Sequence, residues 1–526
     1  MDGVLRLTLA CLVVALAGTV RAGEYTERVE AAKSLQPLGE APFGERIDLH
    51  TGEVTFHQTD ILLEGTGPAI RIARLRPGNP DPTQAAAFGD WVLDVPRVDT
   101  LVADDGGSVG MQWRLNAAQD AESFARCTRF AAPHAGEAGI ARAAWWEGVS
   151  LHLGDGQAHT VLRRAPEWTP RPEVPGEFPA VTTSHVQIGC LAATRNGEAG
   201  EAFLALSPDG LRHRLDWLVG RAAEAVADGT RVQRRTLASM VATRVEDRFG
   251  NSVDYVYEDA RLRAILASDG RHVEIAWSGD HISHITTHPE SDAPRTWQYA
   301  YVGAKLAAVV QPDGSRWSFD LQPTGGPIAS VLTTPSGLTG AFVFELLASR
   351  LVLVERRWSG PGVDARWSVR YGPAQGSAPR DADSGDGTCG DTHWRDVIEP
   401  DGARHRHTFS TACGPLEGKR LRTETFDPDG TLLRTEALAY ATLTRVGDAL
   451  RGDAFNASPA DTLVPLRERT ITQQRSDFRW RVLEHDAFGR AIAVERSGTR
   501  TRIDRTTHAD SMSAWVLGQV ATESFV

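Results

Sequence analysis

Two stretches carry side chains whose spacing invites metal chemistry. HISHITTH, residues 281–288, offers His281, His284 and His288. On an extended strand neighbouring side chains alternate between faces, so His281 and His284 point apart and only His284 and His288 share one. A surface strand accounts for that pattern better than a ligand set. His405 and His407 do share a face, but equivalent positions elsewhere carry aromatics, so they read as core residues. DADSGDG, residues 381–387, places Asp381, Asp383 and Asp386 before a glycine, as a calcium loop would. An EF-hand needs a glutamate at its twelfth position, where Thr392 stands, and no helical pattern flanks the loop.

GGSVG at 106–110 and GDGTCG at 385–390 match G-x-S-x-G and G-x-G-x-x-G only as short strings in glycine-rich loops, and no P-loop occurs, so neither catalysis nor a cofactor is expected. Paired carboxylates for glycoside hydrolysis cannot be picked out among 68 acidic residues. Trp145 and Trp146 are adjacent; on a strand they face opposite ways, leaving one exposed to stack on a carbohydrate.

The first residues read as a secretory leader. Arg6 precedes the apolar run LTLACLVVALAGTV, and V-R-A at 20–22 fits cleavage after Ala22. A membrane span needs about 20 apolar residues, more than this run supplies, and no later segment is long enough. The expected product is secreted, periplasmic or cell-surface, without a transmembrane segment. Cleavage leaves Cys127, Cys190, Cys389 and Cys413, an even set compatible with disulfides in an oxidising compartment. Three pairings are open, and the two separated pairs favour Cys127 with Cys190 and Cys389 with Cys413. Zinc spacing such as C-x-x-C is missing. The net charge is −12, with both signs interspersed and no basic cluster, which argues against a nucleic-acid partner.

The elements that would hold such residues are β-strands punctuated by glycine turns. The 50 glycines and 14 tryptophans favour sheet over helix bundle. Turns end at Gly210, Gly250, Gly270, Gly314, Gly337, Gly402, Gly430 and Gly489, at intervals of 40, 20, 44, 23, 65, 28 and 59 residues. Several intervals lie near multiples of 20–22, as in a degenerate repeat. Positions three, five and seven after the glycine share a strand face: Val253, Tyr255, Tyr257 after Gly250, and Val273, Ile275, Trp277 after Gly270. Six of the eight turns follow this rule; Gly430 and Gly489 fit poorly. Read as a two-residue loop, Asp269-Gly270 pairs Leu266 with Val273, Ala264 with Ile275 and Leu262 with Trp277. At Pro312-Asp313-Gly314 a G1 bulge would shift the register by one, and both registers remain open. Lone hairpins are marginal, so neighbouring units should pair edge to edge into a long, spiralling antiparallel sheet.

"YVYEDARLRAILASDGRHVEIAW" resembles the RHS/YD repeat, with Glu258-Asp259-Ala260 departing from its usual approach. "DLHTGEVTFHQTDILLEGTGPAIRIARLR" and "FGDWVLDVP" are similar to the module that opens such proteins, and "WWEGVSLHLGDG" to the region before their repeats. The resemblance covers most of residues 43–520 and implies a mainly β, shell-like spiral sheet. The resulting division is a signal peptide at 1–22, an N-terminal β module at 23–99, a β-rich pre-repeat region at 100–240 and degenerate repeats at 241–526. Such shells often enclose a C-terminal toxin released at a D-P-x-G-L segment. SPDGL at 207–211 lacks the leading Asp and DPDGT at 427–431 lacks the Leu, so both read as turns.

These readings imply a non-enzymatic exported scaffold for enclosure or display at the bacterial envelope. It would be a fragment or a cargo-less member of a contact-dependent toxin system, with a toxin, another protein cargo or cell-wall carbohydrate as partner. The alternatives are a carbohydrate-binding surface protein using Trp145 or Trp146, and a polysaccharide-degrading enzyme on a β-propeller.

Overall fold

Glycine turns set the register of the sheet. The computed structural model describes residues 41–78, 87–115, 121–320, 328–347, 350–372, 392–412, 414–450 and 461–526. The leader at 1–22, Cys389, Cys413 and the aspartates of 381–387 lie outside the described residues. All eight turn glycines take φ between +76° and +89°. Each donates its amide to the carbonyl three residues back, as Gly270 does to Ala267 at 3.0 Å and Gly314 to Gln311 at 2.9 Å. The first residue of the turn also donates to the carbonyl just past the glycine, Ala267 to Arg271 at 2.9 Å. This is a type I turn closed by a left-handed residue, the G1-bulge loop. A side chain there costs roughly 1–2 kcal/mol, so glycine recurs.

The two-residue reading of Asp269-Gly270 is thereby corrected. Ile265 stands opposite Val273 and Leu266 opposite His272, which turns Leu266 outward to 40% exposure. The Pro-Asp-Gly turn also takes the bulged register, with Val309 opposite Trp317. Two-residue turns lie at the other end of each hairpin, at Asp259-Ala260, Gly279-Asp280 and Gly303-Ala304. Beyond each of them the pairing slips by one residue. That slip lets Leu262 and Ile265, Ile282 and Ile285, and Leu306 and Val309 all bury, although each pair is spaced by three. The repeat unit is a strand, a two-residue turn, a bulged strand and a G1 turn. Its inward positions after the glycine bury as the period of two requires: Val253, Tyr255, Val273, Ile275, Phe319, Phe342 and Phe409.

Units pair edge to edge into one antiparallel sheet. Pairing runs without a break from Leu162–Arg164 through Ala180–Val181 and Gln187–Leu191 to Leu432–Tyr440, then on through Leu466–Gln473 to Val520–Phe525. A propeller would interrupt this ladder into blades, so the propeller alternative is set aside. The right-handed twist of each strand, summed over many, coils the sheet. Gly447–Ala449 accordingly returns to pair with Leu162–Arg164, where the ladder began. Val516 bridges Asp209, and Glu173 donates to the Met512 carbonyl at 2.9 Å. A small core of Leu162, Ala165, Trp168, Val181, Val446 and Leu463 fills this seam.

The inward face is not hollow between Ser252 and Ser410. A second, four-stranded sheet, Glu45–Ile47, Val54–Leu63, Ile70–Arg76 and Val92–Leu93, lies against it. Phe56 meets Phe342 edge-on at 5.0 Å, Trp91 meets Phe319 at 5.3 Å, and Phe88 meets Tyr299 at 4.7 Å. The N-terminal module thus provides the second layer that a one-sided sheet needs to bury its apolar face.

Cys127 and Cys190 form the expected disulfide, closing 63 residues onto the strand Gln187–Leu191. Loop-closure entropy of that length is worth roughly 4 kcal/mol. A Cys127→Ser/Cys190→Ser double variant should therefore unfold at a distinctly lower urea concentration than the oxidised parent. Coincident unfolding curves would show that the bridge contributes nothing.

Candidate functional site

Arginines from the large sheet reach into the N-terminal module and satisfy its backbone. Arg271 donates to the carbonyls of Leu63 at 2.5 Å and Pro68 at 3.0 Å, and Arg395 to that of His50 at 3.0 Å. Arg356 pairs with Glu45 at 3.2 Å, both side chains 1% exposed, and lies 4.0 Å from the Trp367 ring. From the module itself, Arg74 forks onto Asp60 at 2.6 and 2.8 Å and reaches Gln58 at 2.8 Å. The Tyr299 hydroxyl donates to the same Asp60 at 3.0 Å. The planar guanidinium suits this work because it can bond in its plane and stack on an aromatic face at once. Arg74 does both, lying 4.9 Å from the Trp91 ring.

His50 and His393 stack at 4.6 Å with Nδ1 and Nε2 2.9 Å apart, between module and sheet. Burial first, then His393 and the guanidinium groups of Arg395 and Arg350, hold the His50 imidazole well below its ordinary range. Nearby, burial pushes the carboxyls of Glu45 and Asp48 up to about 7.

A second polar cluster closes the other end of the module. His57 bonds Asp94 at 3.0 Å, and the Gly156 amide donates to the same oxygen at 2.7 Å. Arg97 bridges Asp94 at 3.4 Å and Asp99 at 2.7 Å, and His152 stands 3.4 Å from Asp99. Burial opposes the charge on Asp94, yet the His57 bond and Arg97 hold it below the usual carboxylate range. Burial works against Asp99 as well, and Arg97 again overcomes it. His152 is pushed down to about 4, chiefly by burial. These groups pair with one another, and the cluster orients the strand Arg97–Ala103 against Arg231–Glu246. A cleft opens beside it, lined by Arg97, Asp99, Arg221, Ser239, Tyr257 and Trp277 among others.

The residues singled out by sequence fall elsewhere. Trp145 and Trp146 are 1% and 3% exposed, so the expectation that one faces solvent is corrected. They end a helical turn, Arg142–Ala144, where strand alternation does not apply. Trp146 Nε1 donates to Thr100 Oγ1 at 2.9 Å, and Arg235 donates to the Trp145 carbonyl at 3.0 Å. Both rings belong to the main core and offer no face to a sugar. His281 stacks on Tyr301 at 4.8 Å, His284 is exposed, and His288 sits in a turn at φ +48°. Among the described residues no group of three or more His, Cys, Asp or Glu could hold a metal ion. His407 is 1% exposed and bonds Thr423 at 3.1 Å, in keeping with a core position. Asp209-Gly210 and Asp429-Gly430 form turns of the same G1 kind as the rest.

No family model and no curated protein matches this chain. Loose structural likenesses exist. The crystal structure of TcdB2-TccC3-Cdc42 aligns with 69% of this chain and 20% of its own, at 9% identity and a TM-score of 0.27. TcdB2-TccC3 aligns with 67% of this chain and 26% of its own, at 9% identity and a TM-score of 0.14. The N-terminal domain of effector protein SpvB from Salmonella typhimurium strain LT2 aligns with 70% of this chain and 99% of its own, at 10% identity and a TM-score of 0.14. This chain thus spans about a fifth to a quarter of the two toxin-complex chains. Superpositions this loose leave function to be argued from the chain's own residues.

The buried charges at the module interface escaped the sequence reading. Arg74, Asp94 and Arg97 stand within apolar runs, and that irregularity is the local signal of their burial. Asp60, which Arg74 holds, meets Tyr299 across 239 residues, and the strand of Arg97 and Asp99 pairs with Arg231–Glu246.

Proposed function

We propose that this chain is an exported, non-catalytic β-scaffold of RHS/YD type that displays a rigid wall at the bacterial envelope. The observation that carries the reading is a sheet that returns to its own first strand while its inward face, from Ser252 to Ser410, covers the chain's own module. A wall filled by its own N-terminal segment favours display over enclosure along that length. A toxin or other protein cargo would associate outside the filled stretch. The Cys127–Cys190 bridge fits an oxidising compartment.

Fractionation of bacteria producing the full chain with a C-terminal tag tests the reading. The expected species begins after Ala22, lies outside the cytoplasm and carries the oxidised bridge by mass spectrometry. Cytoplasmic retention with free thiols, or hydrolysis of wall polysaccharide by the pure protein, would overturn it.

A further inference from the structure

The cleft beside Arg97 has unspent hydrogen-bonding capacity. It is a cavity of about 120 Å³ between Pro77 and residues 87–95 of the module, Asp90 among them, the strand Arg97–Ala103, the hairpin of Arg212–Asp228 with Arg231–Glu246, and the turn at Asp259-Ala260. Val219, Leu237, Val241 and Leu262 make its wall largely apolar, and the Trp277 indole lines one side. Among the described residues Tyr257 Oη is buried there without a hydrogen-bond partner, and Asp99, whose Oδ2 is held by Arg97, keeps its Oδ1 toward the cleft beside Ser239. Arg221 lines the same space, half-buried, and makes no hydrogen bond or ion pair to a described residue. Arg97 differs, because Asp94 and Asp99 already engage it.

Orphaned groups of this kind specify their ligand. A buried donor or acceptor without a partner costs about 1–3 kcal/mol, so Tyr257 Oη, with the spare Asp99 oxygen and the half-buried Arg221 guanidinium beside it, favours a ligand that complements all three. A simple anion would satisfy Arg221 but meet the Asp99 carboxylate; a simple cation would face the converse. The complement must accept from Arg221, donate to Asp99, exchange a bond with Tyr257, and present an apolar face to the lining. Vicinal ring hydroxyls donate and accept together, and a pyranose carries a C–H face beside them.

We propose that this cleft binds one neutral pyranose unit, its hydroxyls held by Arg221, Tyr257 and Asp99 and its apolar face set against the lining. The volume suits a single ring rather than a chain of them. This site is distinct from Trp145 and Trp146 and does not depend on the scaffold being exported.

Saturation-transfer NMR on the full chain, with the methyl glycosides of glucose, galactose, mannose and N-acetylglucosamine at millimolar concentration, tests the proposal. At least one glycoside should receive saturation. Arg221→Gln and Tyr257→Phe should each weaken its binding by about tenfold, the loss of one such hydrogen bond. Tyr257→Phe keeps the ring that stacks on Trp217 at 5.5 Å, so it tests the hydroxyl with the fold intact. Three outcomes overturn the assignment: no glycoside receives saturation, acetate binds in place of every glycoside, or both variants bind as the parent does. The first would mean that ordered water alone fills the cleft.

Discussion

Trp91→Ala should lower the unfolding free energy by about 4 kcal/mol, a size typical of truncating a fully buried aromatic. Trp91 is 0% exposed and stands at the centre of the contact between module and sheet. It touches Phe56 at 6.2 Å and Phe319 at 5.3 Å between ring centres, with the Arg74 guanidinium over its face at 4.9 Å. Its removal opens a cavity and strips one of two rings, the other being Phe319 at 5.2 Å, from an arginine that is itself 0% exposed. Among the described residues the Trp91 Nε1 has no hydrogen-bond partner, so the loss is one of contact and volume. Phe249→Ala provides the contrast, since Phe249 is 75% exposed at a turn and should change stability by under about 0.5 kcal/mol. Urea unfolding of both variants measures the difference, and limited proteolysis should cut the Trp91 variant first within residues 43–95. Equal stability of the two variants would mean that the module does not hold the sheet.

Stability should also fall by about 3 kcal/mol between pH 7 and pH 5, through buried histidines. His213 and His152 are pushed down to about 4, and His407 to about 3, in each case mainly by burial; His50 is lowered as well. An unfolded imidazole takes up its proton near pH 6.5, whereas these four stay neutral in the folded chain until far lower pH. Between those limits the unfolded state binds more protons, so acid drains stability. Glu45 and Asp48 act in the opposite sense. With folded values of about 7, they contribute stability at low pH that is lost as pH rises from about 4.5 to 7. Four imidazoles against these two carboxyls leave a net uptake on unfolding that grows from about zero at pH 7 to about two protons at pH 5, which sums to about 3 kcal/mol over the interval. Urea midpoints at pH 7, 6 and 5 should decline in order. His407→Phe, which places an aromatic where other repeats have one, should flatten the decline by about one proton. A midpoint that holds steady or rises toward pH 5 would show that the carboxyls dominate.

Much of the sheet was legible in the residues themselves. Alternation after each glycine assigned Val253, Tyr255, Val273, Ile275, Phe342 and Phe409 to the buried face, and all six are buried. Register was less legible. Leu262 and Ile265 are both buried at a spacing of three, which only a bulge allows, and alternation by itself turned Leu266 inward. Trp145 and Trp146 misled for the same reason: the rule for strands was applied to a helical turn.

The sequence by itself determined where the chain turns and which face of most strands is apolar. Those properties reside within about 20 residues, in a glycine that tolerates positive φ and in side chains of period two. Only the tertiary structure decided what covers that face and which residues line the cleft beside Arg97. His50 meets His393 across 343 residues, and Gly447–Ala449 finds Leu162–Arg164 across nearly as many. Such encounters depend on small strand-to-strand twists summed over some twenty strands, and no local pattern records that sum.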